Sequence, residues 1–179
     1  LRPALALLAA APHRLMFFIG AANVLAAMAW WTLWLANARW ALLELPQPAV
    51  YAGWMHAIVM QYQVLPSFIF GFLLTVVPRW TDQPALAATR YVPVGVGLVA
   101  GQVATLLGLV IEPALLLPGL LLTAAGWAVG LLLLLGVLAR AKTLDGHALS
   151  AVFALMLGLA GLLLAIGFVL GGPALLMFA

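Results

Sequence analysis

Long apolar runs alternate along this chain with short segments that hold most of its polar and helix-breaking residues. Five of the runs reach about 20 residues, the length that a helix needs to cross the hydrocarbon core of a bilayer. These spans are predicted at residues 15–36, 50–77, 91–110, 119–138 and 148–170. The pattern therefore predicts an all-α, polytopic transmembrane helix bundle of about five spans, formed as a single domain over residues 1–179.

Composition excludes the other broad classes of protein. Hydrophobic residues make up 68% of the chain and charged residues 6%, whereas a soluble domain has about 45–50% and about 25%. A soluble globular domain and a disordered chain are both excluded, and unbroken runs such as the leucines of 131–135 lack the alternation of a transmembrane β-barrel. The absence of cysteine excludes disulfides, thiolate metal sites, iron–sulfur clusters and covalently attached haem.

The charged and aromatic residues predict how the bundle lies in the membrane. Six of the seven basic residues fall on the side of the N-terminus: Arg2, Arg14, Arg79, Arg90, Arg140 and Lys142. Arg39 lies on the other side with Glu44 and Glu112, so the positive-inside rule places the N-terminus in the cytoplasm. Tryptophans gather near the predicted outer boundary as an aromatic belt. The basic residues form no patch, so the bilayer is an expected partner and nucleic acid is not.

Span two holds the only histidine well inside a predicted span. His56 and Met60 are four residues apart and share one helix face. Neutral imidazole ligates haem iron or copper, and a thioether suits Cu(I). Either the pair binds copper together, or His56 binds haem b with a second ligand from another helix. The structural alternative is that His56 hydrogen-bonds a neighbouring carbonyl while Met60 only packs.

The other two histidines, His13 and His147, lie at the predicted inner face. From His56 to Val77 the helix is about 30 Å long, so His56 cannot share a small metal centre with either of them. Membrane boundaries tolerate polar side chains, so the favoured interpretation is that both are boundary residues. A separate haem or metal site that uses His13 and His147 at the inner face is the alternative. No catalytic set is evident, and whether the protein is an enzyme is left open.

Proline and glycine predict two features of the helix packing. Pro66 is expected to kink span two and to free a carbonyl near Tyr62, which the Ser67 hydroxyl can satisfy. Glycines four residues apart, which let helices approach closely, occur in spans three and four: Gly97 and Gly101, then Gly126 and Gly130.

The end of span two resembles the NnrS family. Residues 71–81 read G-F-L-L-T-V-V-P-R-W-T, and the family typically has G-F-L-L-T-A-V-P-N-W-T-G. Residues 12–18 are similar to the entry to that family's first helix. The resemblance implies a haem- and copper-containing multi-pass protein of the bacterial inner (cytoplasmic) membrane, linked to nitric-oxide tolerance and denitrification. Family members are longer, so we expect an N-terminal part or a shortened relative.

One departure from the family pattern keeps several functions open. Where the family usually has H-A-H-E-M, residues 56–60 read H-A-I-V-M, so Ile58 and Val59 replace a histidine and a glutamate. The first interpretation is a haem- or copper-binding protein of nitric-oxide or respiratory metabolism. The alternative is a non-catalytic accessory or assembly subunit, packed against other subunits of a membrane respiratory complex. A small-solute carrier is a third reading, which the predicted kink alone supports.

Overall fold

The computed structural model describes residues 6–41, 43 and 50–171. Within these ranges there is no strand, and five helices are long and apolar enough to span a membrane. They are α1 (Pro12–Trp40), α2 (Ala52–Trp80), α3 (Ala88–Val110), α4 (Leu116–Leu138) and α5 (Gly146–Val169). A 3₁₀ turn at Pro113–Leu115 leads into α4. The prediction of an all-α bundle of five spans is confirmed, and the protein is a multi-pass membrane protein.

The helix starts follow from local chemistry. Pro12 stands at the beginning of α1, where a missing backbone N–H removes no helical hydrogen bond. Asp145 caps α5, because its carboxylate accepts a hydrogen bond of 2.9 Å from the backbone N–H of Ala148. Glu112 caps the 3₁₀ turn in the same way, at the N–H of Ala114. These carboxylates therefore have structural roles at helix N-termini.

Most of the described cationic side chains lie at one end of the bundle. Three contacts bring the starts of α1 and α3 to the ends of α2 and α4: His13 to Thr75, Tyr91 to Ala9, and Gln83 to Val137. The arginines at this end are Arg14, Arg79, Arg90 and Arg140, whereas Arg39 is in the last turn of α1. This asymmetry agrees with the predicted charge pattern, and the cytoplasmic location of this end stays a prediction. Arg2 and Glu44 lie outside the described residues.

Helices α3 and α4 pack closely through glycine. A Cβ atom built on Gly97 would lie 2.5 Å from the Cα of Gly126, and one built on Gly101 would lie 2.8 Å from the carbonyl oxygen of Gly119. The predicted close approach is confirmed for Gly97, Gly101 and Gly126. Gly130 has a different neighbour, since a Cβ there would lie 2.5 Å from the ring of Phe70 on α2. Gly126 and Gly130 therefore serve two different helix contacts.

The backbone of α2 changes register immediately before Pro66. Residues Met60–Val64 form a π-helical turn, in which the N–H of Leu65 bonds the carbonyl of Met60, five residues back. The carbonyl oxygen of Gln63 accepts two hydrogen bonds from side chains, one from the Ser67 hydroxyl at 3.2 Å and one from Asn23 Nδ2 at 3.4 Å. Ser67 thus acts as expected, on a carbonyl one residue beyond Tyr62.

A buried polar network connects four helices at this level. Gln63 on α2 donates from Nε2 to the hydroxyls of Thr105 on α3 (2.7 Å) and Thr123 on α4 (3.0 Å). Gln102 on α3 donates to the backbone carbonyl of Asn23 on α1 at 2.6 Å. Each threonine hydroxyl donates in turn to its own helix, so it must accept from Gln63. In a bilayer, where apolar contact with lipid competes with apolar contact between helices, such bonds help to specify the packing.

Candidate functional site

The antiparallel pairing of α1 with α2 sets the position of His56. Three contacts run in opposite directions along the two helices: His13 with Thr75, Asn23 with Gln63, and Trp31 with His56. Between the first and last of these contacts, α2 covers 19 residues, or about 28 Å. His56 therefore lies near the end of the bundle opposite to His13, and its side chain faces α1.

His56 is the last ring in a stack of three. Its imidazole lies 4.4 Å from the ring of Trp31 with an interplanar angle of 15°, and Trp31 lies 5.2 Å from Trp34 at 3°. This offset stacking of flat rings is favourable and fixes the plane of the imidazole. The sequence suggested only a general aromatic belt here, because the partner of His56 depends on the α1–α2 register.

Neither nitrogen of the half-buried His56 ring bonds another described residue. The Nδ1 atom is buried without a hydrogen-bond partner, so the predicted bond from His56 to a carbonyl is not formed among the residues that the structure describes. A buried polar atom without a partner is unfavourable. The stack orients the ring, and both ring nitrogens are without a hydrogen-bond partner among the described residues.

Met60 lies one helical turn beyond His56, on the same side of α2. Its backbone N–H bonds the carbonyl of His56, and its side chain packs against the apolar cluster of Ala27, Val59 and Val64. Side chains on a helix lean toward its N-terminus, so the thioether of Met60 leans toward the turn that carries His56. The two predicted ligands therefore lie on adjacent turns of α2, and their joint role in binding a metal stays a prediction.

The imidazole of His56 and the thioether of Met60 are side-chain groups that can ligate copper. Among the cavities in the described part of the chain are three of about 560, 620 and 630 Å³, and His56 lines none of these three. A haem needs a flat slot beside its axial ligand, whereas Cu(I) needs only a few soft or borderline donors. The described residues contain no cluster of three or more His, Cys, Asp or Glu, so a copper site here would rest on His56 and Met60.

His13 and His147 lie apart from this site. The backbone N–H of His13 donates to the Thr75 hydroxyl at 3.2 Å, and its Nδ1 lies 3.4 Å from the same oxygen. His147 is exposed as the second residue of α5. Both stand at helix starts, where boundary residues are expected, and neither is brought to His56. Their participation in a separate inner-face site stays a prediction.

Sequence comparison matches the chain to a family. The family model described as NnrS protein matches residues 7–179, which is nearly the whole chain. The chain belongs to the NnrS family. No curated protein and no solved structure matches it. The resemblance at residues 71–81 is therefore confirmed as membership.

In this NnrS protein the two positions that depart from the family pattern, 58 and 59, hold packed apolar side chains. Ile58 is 7% exposed and Val59 is fully buried. Val59 belongs to an apolar cluster with Ala27 and Val64. Neither position supplies a donor atom, so the ligand set expected from the family pattern is reduced here to His56 and Met60.

Proposed function

We propose that this NnrS protein is a copper-binding protein of the bacterial inner membrane that acts in nitric-oxide or respiratory metabolism. The observation that carries the proposal is the unpartnered Nδ1 of His56, held by a tryptophan stack one helical turn from a thioether. Imidazole and thioether together form a donor set that binds Cu(I) in preference to harder divalent ions. A copper ion held by these two ligands would supply one-electron chemistry and an open position for a small ligand.

The protein's own contribution to such a site is orientation and exclusion of water. Trp31 fixes the plane of the imidazole, and Trp30, which is 6% exposed, packs at 6.4 Å from the same ring. The hydrophobic surroundings of a metal site limit solvent access and thereby influence its redox potential. Nitric oxide is small and weakly polar, so it can enter such a site directly from the bilayer.

Haem b with His56 as an axial ligand is the second candidate for the cofactor. It is supported by the family resemblance and by the same free imidazole nitrogen. His56 would hold such a haem through its imidazole, and the haem would need a flat slot beside that ring; His56 lines none of the three cavities of about 560, 620 and 630 Å³. Because haem gives a Soret band and Cu(I) does not, the visible spectrum of a single preparation distinguishes the two cofactors.

The test is to purify the protein in mild detergent from cells supplied with copper and iron. Total copper and iron and the oxidised and reduced visible spectra are then measured. We expect stoichiometric copper, lost in His56→Ala and reduced in Met60→Leu. His13→Ala and His147→Ala are the matched controls and should retain it.

Two other results would redirect the assignment. A Soret band with stoichiometric iron that disappears in His56→Ala would show that the cofactor is haem and not copper. A colourless, metal-free protein that co-purifies with a respiratory complex would overturn the proposal and favour the accessory or assembly role.

A further inference from the structure

Two neighbouring polar side chains of α2 line an otherwise apolar cavity between α2 and α5. The cavity has a volume of about 560 Å³, and its walls include Trp54, Ala165 and Phe168. Gln61 is exposed and Tyr62 is half-buried, and both line it. Neither the Gln61 amide nor the Tyr62 hydroxyl bonds any residue that the structure describes. Both polar groups are therefore available to a molecule in the cavity.

Both groups lie at the depth of the hydrocarbon core. Trp54 and Trp80, near the two ends of α2, are 26 residues apart, or about 39 Å, which is close to the full thickness of a bilayer with its headgroups. The midpoint falls at Ser67, so Gln61 lies about 9 Å from the midplane, inside a core half-thickness of about 15 Å. A polar group there has no water to bond and is unfavourable without another partner.

The cavity continues along α2. A second cavity of about 630 Å³ shares Gln61 and Leu65 with the first and extends past Phe68 and Phe72. We name the two together the α2–α5 groove. Its polar groups are concentrated at one end, around Gln61 and Tyr62, and the rest is apolar and aromatic. Cavities of several hundred Å³ with a few polar groups on apolar walls are typical of small-molecule sites.

The geometry points to a quinone-binding site in the α2–α5 groove. The occupant is a lipid-soluble quinone whose ring lies against the aromatic wall at Trp54 and Phe168. Its carbonyl oxygens accept hydrogen bonds from Gln61 Nε2 and the Tyr62 hydroxyl, and its hydrocarbon tail follows the second cavity toward Phe72. The His56 ring faces α1 and does not line this cavity. Met60 does line it, so the two proposed sites adjoin at Met60, but the hydrogen bonds proposed for the quinone involve Gln61 and Tyr62 and no metal.

Other occupants match these observations less well. Phospholipid ester carbonyls stay at the interface, about 15 Å from the midplane, and so do not reach Gln61. A further transmembrane helix is about 10 Å wide and would lie across a cavity of this size without filling it. A quinone has carbonyl oxygens that can accept hydrogen bonds from the two donors. Its flat ring can stack on the aromatic wall, and its apolar tail allows it to enter the hydrocarbon core.

The test is calorimetric titration of the purified full chain in nanodiscs with decylubiquinone, and with decylbenzene as a probe that lacks carbonyl groups. We expect saturable binding of decylubiquinone only. Loss of one hydrogen bond in Gln61→Leu or Tyr62→Phe should weaken binding by about threefold to tenfold. Ala57→Trp, which fills the cavity, should abolish binding. Tyr51→Phe, at an exposed tyrosine outside the cavity, is the matched control and should bind as the parent does.

Several outcomes would overturn the proposal. They are no binding, equal binding of decylbenzene, or equal affinity in the parent, Gln61→Leu and Tyr62→Phe. A dimer in the parent that becomes a monomer in Gln61→Leu would also overturn it, because the amide would then face a second copy. Circular dichroism and thermal unfolding of each variant separate lost binding from lost folding. Tyr62→Phe, which removes a single oxygen, keeps the test valid if Ala57→Trp does not fold.

Discussion

Gly97 and Gly126 meet backbone to backbone where α3 crosses α4. A Cβ atom added to Gly97 would lie 2.5 Å from the Cα of Gly126, and one added to Gly126 would lie 2.9 Å from the Cα of Gly97. Because the obstructing atoms are backbone, no change of side-chain rotamer can relieve such an overlap. The two helices must move apart to accept even one methyl group, and every contact along their interface would weaken.

Gly97→Ala and Gly126→Ala are therefore expected to destabilise the protein strongly. Overpacking of an interior commonly costs about 1–3 kcal/mol, and a backbone-to-backbone contact should lie at the upper end of that range. Thermal or denaturant unfolding in detergent measures the change. Gly136→Ala is the matched control, since its Cβ would lie 3.8 Å from the nearest atom, at the end of the Arg140 side chain. Equal stability of all three variants would contradict this account of the crossing.

The bond between Gln63 and Thr105 is expected to couple α2 to α3. Gln63 Nε2 lies 2.7 Å from the Thr105 hydroxyl, and both residues are fully buried. A double-mutant cycle of Gln63→Met and Thr105→Val should give a coupling free energy of about 0.6 kcal/mol and at most about 1.7 kcal/mol, the range found for such bonds in membranes. Additive effects of the two substitutions on the free energy of unfolding would show that the bond does not stabilise the fold.

Stacking and metal binding at His56 are separable by substitution. His56→Phe keeps a flat ring against Trp31 and removes the unpartnered Nδ1. We expect its metal-free form to be as stable as the parent, or more stable by up to about 1 kcal/mol. His56→Ala loses the stack and should be less stable by about 1 kcal/mol. Both should lose copper. Copper retained in His56→Phe would exclude the imidazole as a ligand.

The spans could be predicted from the sequence because lipid imposes one strong condition. A helix that crosses a bilayer must be long and continuously apolar, and its backbone must satisfy its own hydrogen bonds. Membership of the NnrS family was likewise visible in residues 71–81. The first inference uses only local composition and the second only a short sequence motif. Neither requires knowledge of which helices are in contact.

The contacts between helices could not be predicted in the same way. Surfaces that face lipid and surfaces that face protein are both apolar, so the sequence did not indicate that Gly130 faces Phe70 or that Trp31 stacks on His56. The π turn at Met60–Val64 adds to the difficulty. It shifts the face that later residues present, which a count of 3.6 residues per turn does not anticipate.

Ser67 is expected to stabilise this π turn through its hydroxyl. The hydroxyl donates to the Gln63 carbonyl at 3.2 Å in a fully buried position, where Asn23 Nδ2 is the only other described side-chain donor to that oxygen. Ser67→Ala should therefore lower the free energy of unfolding by about 0.5–1.5 kcal/mol.

Ser150 is the matched control for this prediction. Its hydroxyl makes the same kind of bond, to the carbonyl of Gly146 at 2.8 Å, but at an exposed position near the start of α5. Alanine is the better helix former there, so Ser150→Ala should leave the free energy of unfolding unchanged or raise it slightly. In a background of Asn23→Leu the effect of Ser67→Ala should grow, because the Gln63 carbonyl would then lose both described side-chain donors. An equal effect of Ser67→Ala with and without Asn23 would mean that another group satisfies this carbonyl.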